Sequence, residues 1–457
     1  MATLEVNLDL VKKYNQPGPR YTSYPPATHF TDSLSKEDLL AKIGAYKART
    51  NDLSLYFHLP FCYSLCWYCG CTTVITKQQD KAITYLDYLE REMDMMMPKI
   101  DPSRIVKQIH LGGGTPTFHS PDEIRKLGDM IRSRFNVAAD AEASVEVDPR
   151  RLTREHIIAL RQTGFNRASL GIQDNNEKVQ EAVNRIQPFS MTTQVTEWLR
   201  EEGFTSINFD LIYGLPLQTP ATFSKTLDEV LSLSPDRFAV FSYAHVPWVK
   251  PAQTFFTEFD LPDATTKLDL LKLTVERLTE AGYIYIGMDH FVKPTDELAI
   301  AQQNRTLQRN FQGYSTHGGT DIYAFGMSAI SQAGELYWQN EKDLKKYYEF
   351  IDKGEIPIIK GYVLSEDDMI RRDVIMEIMC SLSLDYNELS SRLGIDFKTY
   401  FAKEIDSLAA LEADGLLVQT PNSIHVTDNG RLFIRNIAMR FDAHLSKETE
   451  VRYSKTI

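Results

Sequence analysis

The chain has 457 residues, 50 basic and 62 acidic side chains, a formal charge of −12, and 43% hydrophobic and 25% charged residues. This is the profile of an acidic globular protein; it excludes a disordered or fibrous chain and argues against general nucleic-acid binding, because phosphate tracking needs net positive charge. At this length two or three domains are expected, and neither disulfides nor a metal is needed merely to fold.

No long apolar run opens the chain and no stretch of 18 apolar residues occurs in it, so a cytoplasmic protein without a membrane span is expected. Pro17, Pro19, Pro25 and Pro26 in PGPRYTSYPP exclude regular helix there. Residues 1–50 read as an irregular arm with one helix near Lys36–Tyr46, packed on the surface, with cover over a site as the alternative. From residue 52, β-rich runs at Leu53–Phe57, Gln108–Leu111, Ala143–Val147, Ala168–Gly171, Ile207–Ile212 and Phe238–Tyr243 alternate with stretches of 3.6-residue period. Those stretches are Lys81–Met97, Pro121–Arg134, Arg154–Gln162, Thr192–Glu202 and Thr222–Leu233. Strand then helix, repeated, predicts parallel βα units.

The polar motifs described below sit at the carboxyl ends of these strands, where a barrel places its chemistry. The expected fold class is therefore α/β: a partial (β/α)6 TIM-like barrel over residues 51–345, with Tyr283–Ile286 as a candidate extension and an open doubly wound sheet as the alternative. Past residue 345 a mostly helical C-terminal domain (346–457) is predicted. Helices at Ser365–Cys380, Asp385–Leu393 and Asp396–Glu412 precede a hairpin about Pro421–Asn422, a winged-helix-like order. Residues 366–442 carry 14 acidic against 8 basic side chains, so a structural or substrate-covering role is expected ahead of DNA binding.

Of five cysteines, Cys62, Cys66, Cys69 and Cys71 fall together in FHLPFCYSLCWYCGC, directly after the first predicted strand, and Cys380 stands alone. Such crowding reads as metal or cluster ligation in a reducing compartment. The C-x3-C-x2-C spacing lets three thiolates converge on three irons of a [4Fe–4S] cube, leaving the fourth iron without a protein ligand. A four-cysteine zinc site is the alternative, although one residue between Cys69 and Cys71 is a strained spacing for two ligands of one metal. Phe61 and Trp67 read as packing; Tyr68 is a candidate to shield the cluster or stack on an adenine.

After the second strand, Gly112, Gly113, Gly114 and Thr115 form a loop through which backbone can approach a ligand, and no phosphate-binding GxxxxGK[ST] motif is present. Glu146, Gln173, Asp174 and Asp210 lie at the ends of the next three strands, a convergence that single surface residues would not produce. His58 and His110 read as structural, while His290 and His317 have either a structural or a ligand-facing reading.

FCYSLCWYC resembles the CxxxCxxC signature of the radical S-adenosylmethionine enzymes. Together with PGPRYTSYP, the CGC ending at Cys71, HLGGGTPT, EASVEVDPR, GFNRASLGIQD, NFDLIYGLPLQT, FSYAHVP, GMDHF, NFQGYST and VTDNGRLFIRNIAMRFD, it makes nearly the whole chain resemble the oxygen-independent coproporphyrinogen III oxidases. The resemblance implies a [4Fe–4S] cluster on Cys62, Cys66 and Cys69, with Cys71 as a further catalytic residue. It also implies S-adenosyl-L-methionine beside Tyr56, Gly113, Glu146, Gln173, Arg185 and Asp210. Arg185 would then suit the methionine carboxylate and Asp210 the ribose hydroxyls. A second S-adenosyl-L-methionine is implied at Tyr68, Gly114, Thr115, Ala244 and Ile330.

The implied reaction abstracts hydrogen from two substrate propionates, releases CO2 and leaves vinyl groups. The implied partners are a porphyrinogen substrate and an unidentified electron donor and acceptor, for a monomer with no nucleic-acid partner. Arg20, Arg305 and Arg309 are candidates for the propionates, each also readable as a solvated surface charge. A haem-handling relative and a zinc-stabilised winged-helix regulator are the alternative functions.

Overall fold

The computed structural model describes residues 6–32, 34–257 and 260–445. All six predicted βα strands are present, five longer than predicted and the sixth shifted by one residue: β1 (Asp52–Leu59), β2 (Ile105–Gly113), β3 (Asn136–Val147), β4 (Arg167–Gln173), β5 (Ser206–Tyr213) and β6 (Arg237–Ser242). They lie side by side in chain order and pair in parallel, the arrangement that crossover helices on one face impose.

The predicted helices return with small shifts; Pro121–Arg134 and Arg154–Gln162 match to the residue. Pro121–Arg134 shows why. Ser120 and Glu123 form a reciprocal capping box, Pro121 opens the first turn, and Ile124, Leu127 and Ile131 recur at helical spacing on the buried face. Such a cap stabilises a helix by about 1 kcal/mol.

The edges of the sheet depart from the simple barrel. Tyr283–Ile286 does form a strand, β7 (Ile284–Gly287), but it adds no seventh βα unit. It pairs antiparallel with β8 (His290–Val292), which itself runs antiparallel to β6. Only two residues separate β7 from β8, too few for a parallel crossover. On the other side β9 (Asp321–Phe325) pairs in parallel with β1, followed by β10 (Ile330–Ala333), β11 (Leu336–Asn340) and β12 (Ile358–Val363), each antiparallel to its neighbour. The result is one twelve-stranded sheet whose curved centre is β1 to β6.

In the C-terminal region the helix Glu366–Ser381 leads to Tyr386–Leu393 and a three-stranded sheet of Ser383–Asp385, Ser423–Val426 and Leu417–Thr420, with Pro421–Asn422 as the hairpin turn. The helix expected over Asp396–Glu412 is instead three short segments interrupted at Phe401 and Leu408, both fully buried. The arm lies against this region. Tyr21 and Tyr24 are buried, the Tyr21 hydroxyl donates to Asp442 at 2.8 Å, and the Ala443 N–H donates to the Tyr24 hydroxyl at 3.0 Å. Among the described residues, no helix is long and apolar enough to cross a membrane.

Period-two alternation sorts the strands into an apolar outer face and a polar inner one. In β3, Ala141, Ala143 and Val145 are buried beneath the helices, while Glu142, Ser144 and Glu146 face a central cavity. In β5 the split is Ile207, Phe209 and Leu211 against Asn208 and Asp210. The hydrophobic core therefore sits between sheet and helices, and the barrel interior is left to polar groups.

Candidate active site

The cavity holds about 710 Å3 and opens at the carboxyl ends of the parallel strands, a volume in the range of a cofactor or small-ligand pocket. Cys62, Cys66, Cys69 and Cys71 all border it. Their loop is tied at both ends: Phe61 and Cys62 pair with Val74 and Ile75, and the Trp67 N–H donates to the Val183 carbonyl at 3.1 Å. Cys62 Sγ lies 3.2 Å from Thr115 Oγ1, and burial pushes its thiol up to about 12.

Cys66 receives two guanidinium contacts, from Arg150 at 3.4 Å and Arg185 at 3.6 Å. Both guanidiniums place positive charge beside this sulfur. The Cys71 N–H donates to Cys69 Sγ at 3.4 Å; contact with Cys71 lowers the Cys69 thiol and raises that of Cys71. This donor set fits a cluster that takes one thiolate per iron. Among the described residues, no three His, Cys, Asp or Glu side chains close on a single metal ion, as a four-cysteine zinc site requires.

The glycine loop crosses beside the cysteines. Gly113 has φ of 111°, and a Cβ there would lie 2.6 Å from the His58 ring; at Gly114 it would lie 2.4 Å from the Pro60 carbonyl oxygen. Both positions exclude any side chain. The Gly113 N–H donates to Glu146 Oε2 at 3.0 Å, and His110 bridges Ser144 at 2.6 Å and Glu146 at 3.4 Å. Burial opposes a charge on Glu146, but these contacts outweigh it and hold the carboxyl below its ordinary value.

Asp210 accepts from the Ser169 hydroxyl at 2.7 Å and from Asn208 at 2.8 Å; burial, reinforced by the Glu146 charge, pushes it up to about 7. Gln173 owes its direction to a slip in the β4–β5 register between Gly171 and Gln173, where it takes φ of 69°, the local twist that a bulge imposes. The same bulge turns Asp174 away: it is buried, off the cavity, accepting from Gln218 at 2.5 Å and Thr226 at 2.9 Å.

Of the residues singled out in the sequence, Tyr68, Gly113, Gly114, Thr115, Glu146, Gln173, Arg185, Asp210 and Ala244 border the cavity with the four cysteines. Tyr56 and Ile330 are not among the lining residues. The Tyr56 hydroxyl donates to His58 Nδ1 at 3.1 Å while its ring stacks on His110, 5.8 Å between centroids. Ile330 packs against a cluster of Phe30, Tyr337 and Leu364. His58 donates from Nε2 to the Thr72 carbonyl at 2.9 Å and is structural, whereas His110 and His290 face the cavity and His317 lies 3.8 Å from Glu142.

Arg185 is fully engaged on one side, donating to the Gly171 carbonyl at 2.6 Å and to Asp148 at 3.2 Å. Sequence reasoning missed Asp148 and Arg150, although EVDPR was in view. Burial works against a charge on Asp148, but Arg185 and Arg150 outweigh it and hold its carboxyl below the usual carboxylate range. Also missed were Gln253, which bridges the Tyr68 and Ala244 carbonyls at 3.2 and 3.3 Å, and Lys250, which donates to the Cys71 carbonyl at 2.9 Å. Nothing local in PWVKPAQTFF signals that this loop returns to the cysteines.

Residues 56–230 match the Radical SAM superfamily and residues 364–433 the HemN C-terminal domain. The chain is 46% identical to the oxygen-independent coproporphyrinogen III oxidase of Synechocystis over 100% of its length and 99% of that protein, and 46% identical to that of Escherichia coli over 99% of each. The solved structure of coproporphyrinogen III oxidase from Escherichia coli, described as a radical SAM enzyme, is 45% identical and superposes with a TM-score of 0.92, covering 97% of this chain and 100% of that one. A three-cysteine loop opening on a polar barrel mouth and likeness along the entire length agree: this chain belongs to the family of oxygen-independent coproporphyrinogen III oxidases, radical S-adenosylmethionine enzymes that use a [4Fe–4S] cluster.

Proposed function

We propose that the protein catalyses the oxygen-independent oxidative decarboxylation of coproporphyrinogen III to protoporphyrinogen IX in haem biosynthesis. The observation that carries this reading is the single cavity shared by the cysteine loop and the polar strand ends, in a chain alike from end to end to proteins named for that activity. When bound, the cluster and S-adenosyl-L-methionine supply the electron and the hydrogen-abstracting group.

The chain's own residues do the positioning. Cys62, Cys66 and Cys69 hold the cluster, and Arg150 and Arg185 neutralise charge at Cys66. Gly113 and Gly114 admit the amino-acid end of the cofactor against backbone, with Glu146 fixing the loop, and Asp210 accepts from the ribose hydroxyls. Arg185 orients the methionine carboxylate with its remaining donor. Tyr68, Gly114, Thr115, Ala244 and Ile330 form the second cofactor site, and Cys71 acts there as a further catalytic group. Tyr56 serves through His58 and His110, as a positioning residue. Holding the reacting carbons within the polar barrel excludes bulk water from them.

At each of two propionates a β-carbon loses hydrogen, CO2 departs, and one electron passes to an acceptor. We further propose three functional parts: the arm (1–50), the catalytic domain (51–345) and the C-terminal domain (346–457), the last tied to the catalytic sheet through β12. Anaerobically reconstituted protein given reductant, S-adenosyl-L-methionine, coproporphyrinogen III and a one-electron acceptor should release two CO2 and consume two cofactor molecules per product. Cofactor cleavage without decarboxylation, together with tight haem binding, would instead identify a haem-handling enzyme.

A further inference from the structure

One wall of the cavity is formed by Phe241, His290 and Tyr314. Behind it stand arginines from three distant stretches of chain. Arg20, from the arm, pairs with Asp289 and lies 6.0 Å from the Phe241 ring centroid. Arg309 lies over the Tyr314 ring, 4.7 Å from its centroid. Arg435, from the C-terminal region, donates to the Pro19 carbonyl at 2.9 Å and to that of Gly18, binding the arm in place.

Arg309 is only 7% exposed, and its Nε and Nη1 have no hydrogen-bond partner among the described residues. His290 Nδ1, on the same wall, is also unpartnered. The acidic group facing these cations is Asp289, already paired with Arg20. The crowding registers on the neighbours. Burial, then the Arg20 charge against the pull of Asp289, with Arg309 adding to it, lowers Arg435 to about 10. His290 is lowered to about 4 by burial, with Asp289 pulling the other way and Arg309, Arg20 and Arg237 adding to the fall. A buried guanidinium with open donors is costly until an anion satisfies it, and its planar fork matches a carboxylate.

We propose that Arg309, with Arg20 beside it, is the binding site for a propionate carboxylate of the porphyrinogen, entering past Tyr314 and His290. This rests on the decarboxylase reading and adds to it: the wall selects tetrapyrroles that carry free propionates. Arg20 and Arg309 are propionate candidates in the sequence, each also readable as a surface charge; only the fold brings positions 20 and 309 to one wall across β6 and β8.

The test is equilibrium binding of coproporphyrin III, the fluorescent oxidised form, and of its tetramethyl ester to the full-length reconstituted protein. The wild type should bind the free acid more tightly than the ester. Arg309→Gln should weaken free-acid binding at least tenfold and leave the ester unchanged, with iron content and S-adenosyl-L-methionine affinity as in the wild type. Arg309→Lys, a point charge in place of a fork, should fall between. Unchanged free-acid affinity in Arg309→Gln would overturn the proposal. So would a selective loss of S-adenosyl-L-methionine affinity, which would make the cofactor's carboxylate the occupant.

Should Arg309→Gln fail to retain iron, Arg309→Lys and Arg20→Gln carry the comparison, and equal free-acid affinities for both and the wild type overturn the proposal. A wild type that decarboxylates coproporphyrinogen III while the variants bind normally defeats this inference alone. A wild type that neither binds the porphyrin nor decarboxylates the porphyrinogen defeats the functional reading and this inference with it.

Discussion

The backbone N–H of Cys71 points at the sulfur of Cys69, 3.4 Å away. The fourth cysteine thus supports the third through its main chain, which any residue but proline would retain, and its thiol, in contact with Cys69, borders the cavity. Cys71→Ala should keep the iron content and visible absorbance of the wild type and lose turnover. Alanine at Cys62, Cys66 or Cys69 should abolish both, since each leaves one iron without its thiolate. Iron and sulfide analysis after anaerobic reconstitution separates the two classes, and loss of iron in Cys71→Ala would make Cys71 a ligand.

Asp210 is held near neutrality by burial, up to about 7. If its carboxylate accepts from the ribose, S-adenosyl-L-methionine affinity should fall as pH is lowered from 8 to 6, because protonation removes the anionic acceptor. Asp210→Asn should bind more weakly at pH 8, by about 1.5–3 kcal/mol, with a flat profile across that window and iron content unchanged. Isothermal titration under anaerobic conditions gives both results; a wild-type profile that is equally flat removes Asp210 from the site.

Arg185 joins the Gly171 carbonyl, Asp148 and Cys66. Arg185→Met takes away one of two cations at a buried carboxylate and leaves Arg150 as its partner. Loss of a buried pair costs about 3–5 kcal/mol, and the remaining arginine places this variant at the low end. A lowered melting temperature is expected, with weaker S-adenosyl-L-methionine binding. Arg185→Lys should recover affinity more than rate, because a point charge restores attraction without the fork's orientation. Equal rates for wild type and Arg185→Lys would show that orientation is set elsewhere.

Glu92 is buried and is not among the cavity-lining residues; it accepts from the Gly326 N–H at 2.8 Å and from Asn340 and Tyr347 at 2.6 Å each, with burial pushing it up to about 7. Because the folded-state pKa is raised, its contribution to stability is complete below the ordinary carboxyl pKa and is lost as pH rises through 7. Relative to Glu92→Gln, the wild type should therefore lose stability between about pH 4.5 and 7.5, by up to about 3 kcal/mol. Thermal unfolding of both proteins across this range provides the comparison; parallel profiles would show that Glu92 is charged throughout.

Much of the architecture is written locally. The six barrel strands and the helices between them were legible because alternation and 3.6-residue period are properties of short segments. The cysteine loop was legible because its three ligands fall within eight residues, and the C-terminal hairpin because Pro421–Asn422 marks its own turn. Tertiary structure alone decided what depends on register and on distant pairing. The antiparallel docking of β8 on β6 and the parallel joining of β9 to β1 arise from partners remote in sequence. The bulge at Gln173 sends that side chain into the cavity and Asp174 out of it, although the two are adjacent. Likewise Arg20, Arg309 and Arg435, each readable as an ordinary surface charge, become one cationic wall, buried at Arg309 and Arg435 and partly open at Arg20, only when arm, barrel edge and C-terminal helices close together. A side chain's chemistry is set by its type, but its charge environment is set by what the fold places opposite it, and that information lies hundreds of residues away.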